Sequence, residues 1–433
     1  MLDGVTRTYR LLKCLYGLKQ SGRNWYEHLK KFLVERLGLQ ECKAVPCLFV
    51  KRHADGSTSY VVVYVDDTSI NTTNLKFRNE LVKAIRKEFI TSDERELSFF
   101  LGADVIFKED KMHVLRYQKI GKLLTKYGMQ GSAACATPAT TERLSGLDAP
   151  TCHEEAIQHP YATLEGELGY LAVSWRPDLA WITGEAARFV ANPGEKHWMA
   201  LKRALRYLQG TRGLGLTHTR GTPKALTAWV DANWAHPEDD WKSIGGYVIF
   251  FGDMPVSWAS RRQATVAQST AEAEYTAMGV VTMQVLFLRR VLEELGVRQA
   301  RPPVIYCDNE AAIKTARNPT FSNRTKHIAT KYHLAKENEG TAVEFTYVRS
   351  EHNLADIFTK PLGAEKFSGF VKELVQPAPK EEIERLELAT LLLDRRGVLE
   401  CHSDRENHTD THTRTSNSVN HTIPWNSENR RIQ

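Results

Sequence analysis

Apolar and polar positions alternate along this chain in two periods, and the switches between them mark out its elements. After a short strand-like opening and a Gly17-Leu18-Lys19-Gln20 turn, Trp25, Leu29, Phe32, Leu33 and Leu37 recur near helical spacing. CLFVKR and STSYVVVYV are β-rich runs on either side of Asp55-Gly56, a hairpin signal. A helix is expected over about 74–89, and LSFFLGADVIFKED and KMHVLRYQKIGKLLTKYGM carry this first segment to about 130. GSAACATPATTERLSGLDAPTCHEEA reads as a linker from its Ala, Thr, Ser, Gly and Pro content. Helical patterns follow in YATLEGELGYLAVSW, which stops near Arg176-Pro177, and in GEKHWMALKRALRYLQGT. In the second, Trp198, Leu201, Leu205 and Leu208 share one face, and Lys202, Arg203 and Arg206 another.

The last third reads as a mixed α/β unit. LTAWVDA, GGYVIFFG and PVSWASR form three strands with short links, the pattern of an antiparallel meander. STAEAEYTAMGVVTMQVLFLRRVLEELG is one long helix closed by Gly296. PPVIYCDN is a buried strand, EAAIKTAR a short helix, KHIATKYHLAKENE another helix and VEFTYVRS a fifth strand. LADIFTKPL begins a final helix that Pro361 interrupts. EEIERLELATLLLDRRGVLE has an amphipathic helical pattern, and from Cys401 onward the polar composition is that of a disordered tail.

Composition narrows the class. A chain of 433 residues has room for two or three compact units. Apolar content of 42% and charged content of 25% place it among ordinary globular proteins. No stretch approaches a membrane span, and MLDGVTRTYRLLK lacks the apolar core of a secretory signal, so an intracellular, non-secreted protein with no membrane partner is expected. The seven cysteines are scattered without a C-x-x-C pair, which fits reduced side chains rather than disulfides or zinc ligands. A formal charge of +6 permits a nucleic-acid partner without establishing one.

The candidate chemistry lies in four carboxylates. Asp231 sits in ALTAWVDANWA, Glu274 in STAEAEYTAMG, Asp308 in VIYCDNEAAI and Asp356 in HNLADIFTK. Two end strand-like runs and two lie at or inside helical patterns. Hard divalent cations take oxygen ligands, and a pair of them needs several carboxylates to offset its charge. Each residue alone has a plainer reading: Asp308-Asn309 before a helix is a plausible N-cap, and Asp231 can simply end its strand. Upstream, Tyr64-Val65-Asp66-Asp67 closes a β-rich run; neighbouring strand side chains face opposite ways, so one aspartate, Asp66 by preference, can face a metal. An ordinary hairpin turn is the plainer reading there.

LYGLKQSGRNWY, YVVVYVDDTSI, FFLGADV, RPDLAW, HWMALKRALRYLQGT, STAEAEY, YCDNEAAI, RTKHI and LADIFTKPL occur in this order. The series resembles the polymerase–ribonuclease H end of a copia-type retrotransposon Pol polyprotein over about residues 8–370. The resemblance implies a truncated polymerase palm with YVDD over 1–130 and a connection over 131–222. It further implies a ribonuclease H domain over 223–365, with a tail, expected to be disordered, over 366–433. The fold class expected is α/β (mixed α+β), the nuclease being a five-stranded mixed sheet with flanking helices.

By the same resemblance Asp231, Glu274, Asp308 and Asp356 are metal ligands for two Mg2+ ions, with Mn2+ able to substitute, and Asp231 bridges both. Glu272 competes with Glu274, which fits the helix register better. His352, before the last aspartate, is either an aid to product release or a solvated loop residue. Asn309 is a candidate donor to a ribose 2′-hydroxyl, and Gln20, Lys202, Arg203, Arg324 and Lys326 are candidate nucleic-acid contacts. His327 and His333 are either helix-surface residues or further phosphate contacts.

The palm aspartate expected upstream of LYGLKQS has no counterpart in these residues, Asp3 lying in too short a run. Asp66 and Asp67 are then relics unless a separate chain completes the polymerase. Two functions are therefore in view: cleavage of the RNA strand of an RNA–DNA hybrid, or an inactive or merely nucleic-acid-binding remnant of a transposable element.

Overall fold

A computed structural model describes residues 11–388, apart from 12–13, 16, 66, 92–94, 152–158, 235–240 and 319–332, together with 420–424. The chain divides into two compact units, Met1–Leu101 with Asp410–Gln433, and Gly102–Thr409.

In the first unit, α1 (Ser21–Lys31) runs on into a π-helical turn, Phe32–Arg36. The expected apolar stripe turns Leu29, Phe32 and Leu33 onto a sheet, with Trp25 and Leu37 at its margin. The sheet contains β1 (Gln40–Glu41), β2 (Leu48–Arg52), β3 (Thr58–Tyr64), β4 (Asp67–Thr72) and β5 (Arg95–Glu96). The first four are consecutive neighbours. α2 (Leu75–Glu88), capped by the Asn74 side chain at Phe77 N (2.9 Å), adds Phe77, Leu81 and Ile85 to the same core. β2 and β3 are joined at Asp55-Gly56, where φ of +81° at Gly56 is the left-handed conformation that glycine adopts without strain. β6 (Phe99–Phe100) is the last strand of this sequence segment.

The second unit begins with β7 (Ala103–Lys108), β8 (Lys111–Leu115) and α3 (Tyr117–Lys126). Helices α4 (Tyr161–Ser174), α5 (Ala180–Ala186) and α6 (Glu195–Gly210) follow, then β9 (Leu214–Thr219). The meander is β10 (Leu226–Asn233), β11 (Ile244–Phe251) and β12 (Met254–Arg262), followed by α7 (Thr270–Glu294). β13 (Val304–Cys307), α8 (Glu310–Arg317), α9 (Leu334–Asn338) and β14 (Glu344–Tyr347) come next, then α10 (Ala364–Leu374) and β15 (Gln376–Pro377). Of the helix expected over KHIATKYHLAKENE, α9 is described and the residues up to 332 lie outside the described set.

The five-stranded sheet runs β12-β11-β10-β13-β14, antiparallel through the meander and parallel from β10 across β13 to β14. The mixed α+β class, the five strands and the antiparallel meander are those expected. Strand alternation gives β10 two faces. Leu226, Ala228, Val230 and Ala232 enter a core with α7, α8 and β14. Trp229, with Val248 and Phe250 of β11, faces a second core built with α3–α6 and α10. Trp258 of β12 donates from Nε1 to Ala172 O of α4 at 2.7 Å. The helices expected to be a connection are thus one of the two layers covering the five-stranded sheet.

Two expected boundaries move. The break placed near residue 130 falls at 101/102, because β8 pairs with β9 and Ile120, Leu123 and Leu124 of α3 are buried against the helical layer. The tail expected to be disordered from 366 holds α10, whose Phe367, Val371 and Leu374 are core residues, and β15, which pairs with β9. A helix covers 380–388, part of the expected amphipathic stretch. Farther on, β16 (Asn420–Pro424) pairs antiparallel with β4 in the first unit's sheet.

Candidate active site

Topology brings the carboxylates together. β10 and β13 are parallel, with Trp229 opposite Tyr306. Two residues farther along both strands come Asp231 and Asp308, so both stand at the carboxyl edge of the sheet, where open α/β sheets expose loop chemistry. α7 starts at its Ser269 cap and sets Glu274 in its second turn against β10. Glu272 is spent on the cap instead: its Oε2 accepts from Gln268 N at 3.0 Å and its own N–H donates to Ser269 Oγ at 3.2 Å. Asp356 lies in a 3₁₀ turn, Leu354–Phe358, that packs on β10 and β11. Buried Asn353 fixes that turn, donating to Val230 O at 3.0 Å and accepting from Ala355 N at 3.2 Å.

The geometry is that of a cation cage. Asp231, Asp308 and Asp356 each offer an oxygen within 4.8 Å of the others, and Glu274, Cys307 and Asp308 form a second such group. Asp231, Glu274 and Asp356 are buried, at 3%, 5% and 1% exposure. Burial raises the Asp231 carboxyl to about 6, with the Lys360 charge opposing and the Asp356 and Asp308 charges reinforcing. Burial, then Asp231 and Asp308, push Glu274 well above the usual carboxylate range. Cys307 Sγ stands 3.9 Å from Glu274 Oε2, and burial holds its thiol protonated, so the second group has less appeal for a hard cation. The three aspartates do suit one, since every atom they offer is a carboxylate oxygen.

Three further side chains complete the cage, and sequence reasoning missed all of them. Thr359 donates its hydroxyl to Asp231 Oδ2. Lys360 Nζ lies 2.7 Å from Asp356 Oδ1 and 3.8 Å from Asp231 Oδ2. Lys366 Nζ lies 2.6 Å from Asp356 Oδ2. Burial works against the Lys360 charge, and Asp231 and Asp356 more than offset it, so its ammonium is held above its ordinary range. The spacing of Asp356 and Lys360 in DIFTK, one helical turn, was the available signal; Lys366, on α10, gave none.

The other candidates are placed as follows. His352 is on the surface, its side chain 70% exposed and 3.5 Å from Glu351; among the described hydrogen bonds and ion pairs it meets none of the four carboxylates. Asn309 is the N-cap of α8, its Oδ1 accepting from Ala312 N at 3.0 Å, which leaves its amide nitrogen as the donor end. Lys202 is half-buried on α6. Arg203 is committed internally, donating to Thr137 Oγ1 at 2.9 Å, and Arg206 donates to Ala133 O at 2.9 Å, so this basic face anchors the 131–139 segment. His333 is buried, with Nδ1 3.0 Å from Tyr275 Oη, rather than on a helix surface. Arg324, Lys326 and His327 lie outside the described residues.

In the first unit, Gln20 is exposed at the start of α1. On either side of the YVDD run β3 and β4 pair, Tyr64 opposite Asp67; Val65 has φ of +52°, and Trp25 Nε1 donates to Val65 O at 3.0 Å. Asp66 lies outside the described residues.

This sheet and its acidic edge define a ribonuclease H-like fold, and residues 3–141 match the family described as reverse transcriptase (RNA-dependent DNA polymerase). The chain is 34% identical over 366 residues to the Retrovirus-related Pol polyprotein from transposon RE1 of Arabidopsis thaliana, covering 84% of this chain and 25% of that protein. It is 34% identical over 373 residues to the corresponding polyprotein from transposon TNT 1-94 of Nicotiana tabacum, covering 84% and 28%. It is also 27% identical over 273 residues to the putative transposon Ty5-1 protein YCL074W of Saccharomyces cerevisiae, covering 63% and 87%. The chain belongs to the copia-type retrotransposon Pol family, and it spans about a quarter of the length of the first two relatives. Among solved structures it is similar to the N-terminal RNase H domain of rv2228c from Mycobacterium tuberculosis, at 11% identity over 35% of this chain and 98% of that one. The TM-score of 0.23 leaves that likeness without weight.

Proposed function

We propose that the acidic edge of the five-stranded sheet cleaves the RNA strand of an RNA–DNA hybrid. One observation carries the reading: Asp231, Asp308 and Asp356, from three separate segments, bring oxygens within 4.8 Å of one another, with Glu274 beside them. Three aspartates against two lysines leave an excess of negative charge in a largely buried site, a costly arrangement unless the site takes up cations. A pair of magnesium ions, or manganese in their place, would supply Lewis-acid polarisation of the phosphate and a more acidic water. Asp231, Glu274, Asp308 and Asp356 would hold them through their carboxylate oxygens. Asn309, with its amide nitrogen directed from the α8 cap beside Asp308, would select RNA through a ribose 2′-hydroxyl. Lys202 would contribute sequence-independent phosphate affinity, and His352, at the exposed rim, would act on departing product.

The test is magnesium-dependent cleavage of a hybrid by the full chain. Asp308→Asn should reduce the rate by about two orders of magnitude or more while leaving the fold intact. Equal rates for the two proteins would remove Asp308 from the site.

A further inference from the structure

The cage already contains a cation of the protein's own. Lys360 Nζ reaches Asp356 Oδ1 at 2.7 Å and Asp231 Oδ2 at 3.8 Å, two of the three carboxylates whose oxygens cluster within 4.8 Å. Its side chain is 36% exposed, so it is not enclosed by the site. The remaining oxygen of Asp356 is held by Lys366 at 2.6 Å, and Asp231 is held by the Thr359 hydroxyl. Residues 359, 360 and 366 thus fasten both aspartates. An ammonium between two carboxylates stands in for part of the charge of a divalent ion, and like charges exclude each other at such distances.

We propose that Lys360 is a resident counter-cation of this site: its ammonium clamps Asp231 and Asp356 when no divalent ion is bound, and it must withdraw before one can use both. The inference rests on the nuclease reading of the site and adds its regulation. Two consequences follow from charge, and a third from the shape of the side chain. The metal-free domain stays folded because its buried aspartates are paired. The affinity for divalent cation is lower than the carboxylate set by itself would give. The four-carbon stem and partial exposure of Lys360 allow the head group to swing outward while its backbone stays in place.

The experiment compares the full-length chain with Lys360→Met, and with Lys314→Met as a control on an exposed Lys314–Glu310 pair. Thermal unfolding is followed in chelator and across a magnesium or manganese titration, with isothermal calorimetry of the metal alone. Lys360→Met should melt lower than wild type in chelator, bind the ion about tenfold more tightly, and gain more from saturating metal. Lys314→Met should match wild type. A Lys360→Met protein that is unfolded in chelator but folds when metal is added supports the proposal equally, since the ion then replaces the missing charge. A variant that no metal concentration rescues, or one with unchanged or weaker metal affinity, overturns it. If wild type and Lys360→Met both bind no divalent cation, it is the nuclease reading that fails, and the counter-cation role fails with it.

Discussion

At the scale of single residues, Asp231 shows how burial and neighbouring charge act on this site. Its carboxyl, raised from 3.8 to about 6 chiefly by burial, keeps its proton in the folded chain over a range where the unfolded chain has released it. The folded state therefore binds more protons there, and stability falls as pH rises. The contribution is whole below the unfolded value and is lost progressively as pH rises to about 6. In metal-free urea unfolding, Asp231→Asn should flatten the decline across that window; an unchanged slope would contradict the burial argument. The four carboxylates were legible in the sequence because two end strand-like runs, two lie at or inside helical patterns, and all four fall in runs that resemble copia-type Pol. The residues that hold them were not, because Thr359, Lys360 and Lys366 look like surface positions until the sheet edge is assembled. Arg203 and His333 illustrate the converse. Both suggest phosphate contacts in sequence, yet one ties down a loop and the other is buried against Tyr275.

At the scale of elements, the site depends on a close crossing of β11 and the Leu354–Phe358 turn. Gly246 pairs with Asp231 across the sheet, and a Cβ there would meet Phe358 Cβ at 2.6 Å and Thr359 Cγ2 at 2.8 Å. Those atoms belong to the segment that carries Asp356 and Thr359, so Gly246→Ala must push that segment off the sheet. A loss of roughly 1–3 kcal/mol is expected from overpacking, measured as a lower urea midpoint, with a fall in hybrid cleavage at temperatures where the variant remains folded. Normal stability and normal cleavage together would show that the crossing does not set the site. The meander, the long α7 and β13 as a buried strand were readable from periodicity and turn residues alone; the parallel pairing of β13 was not. β9 and β15 were not, since a short strand is made by its partners: β9 pairs with β8 and β15, each distant in sequence.

At the scale of the whole molecule, the sheet that carries the site has two faces and each needs a cover. Trp229, Val248, Phe250 and Phe358 belong to the core shared with α3–α6 and α10, and the Trp258 indole is bonded to α4. A protein limited to residues 223–365 would expose that surface and should aggregate, whereas residues 102–388 should give a soluble, cooperatively unfolding product. Sedimentation and urea unfolding of both would decide it, and a monomeric, stable 223–365 would refute the two-layer account. The boundary escaped sequence reading because the 131–145 stretch has linker composition yet is stitched onto α6 through Arg203, Arg206 and His197. The central claim, a metal-dependent ribonuclease at the sheet edge, is tested most directly by strand-resolved cleavage. The full chain is given magnesium and a hybrid labelled separately on RNA and DNA, with duplex DNA and Asp231→Asn as controls. Cutting of the RNA strand alone by wild type, none by Asp231→Asn and none of duplex DNA is the result expected. No metal-dependent cutting by wild type, or equal cutting by Asp231→Asn, would contradict the claim.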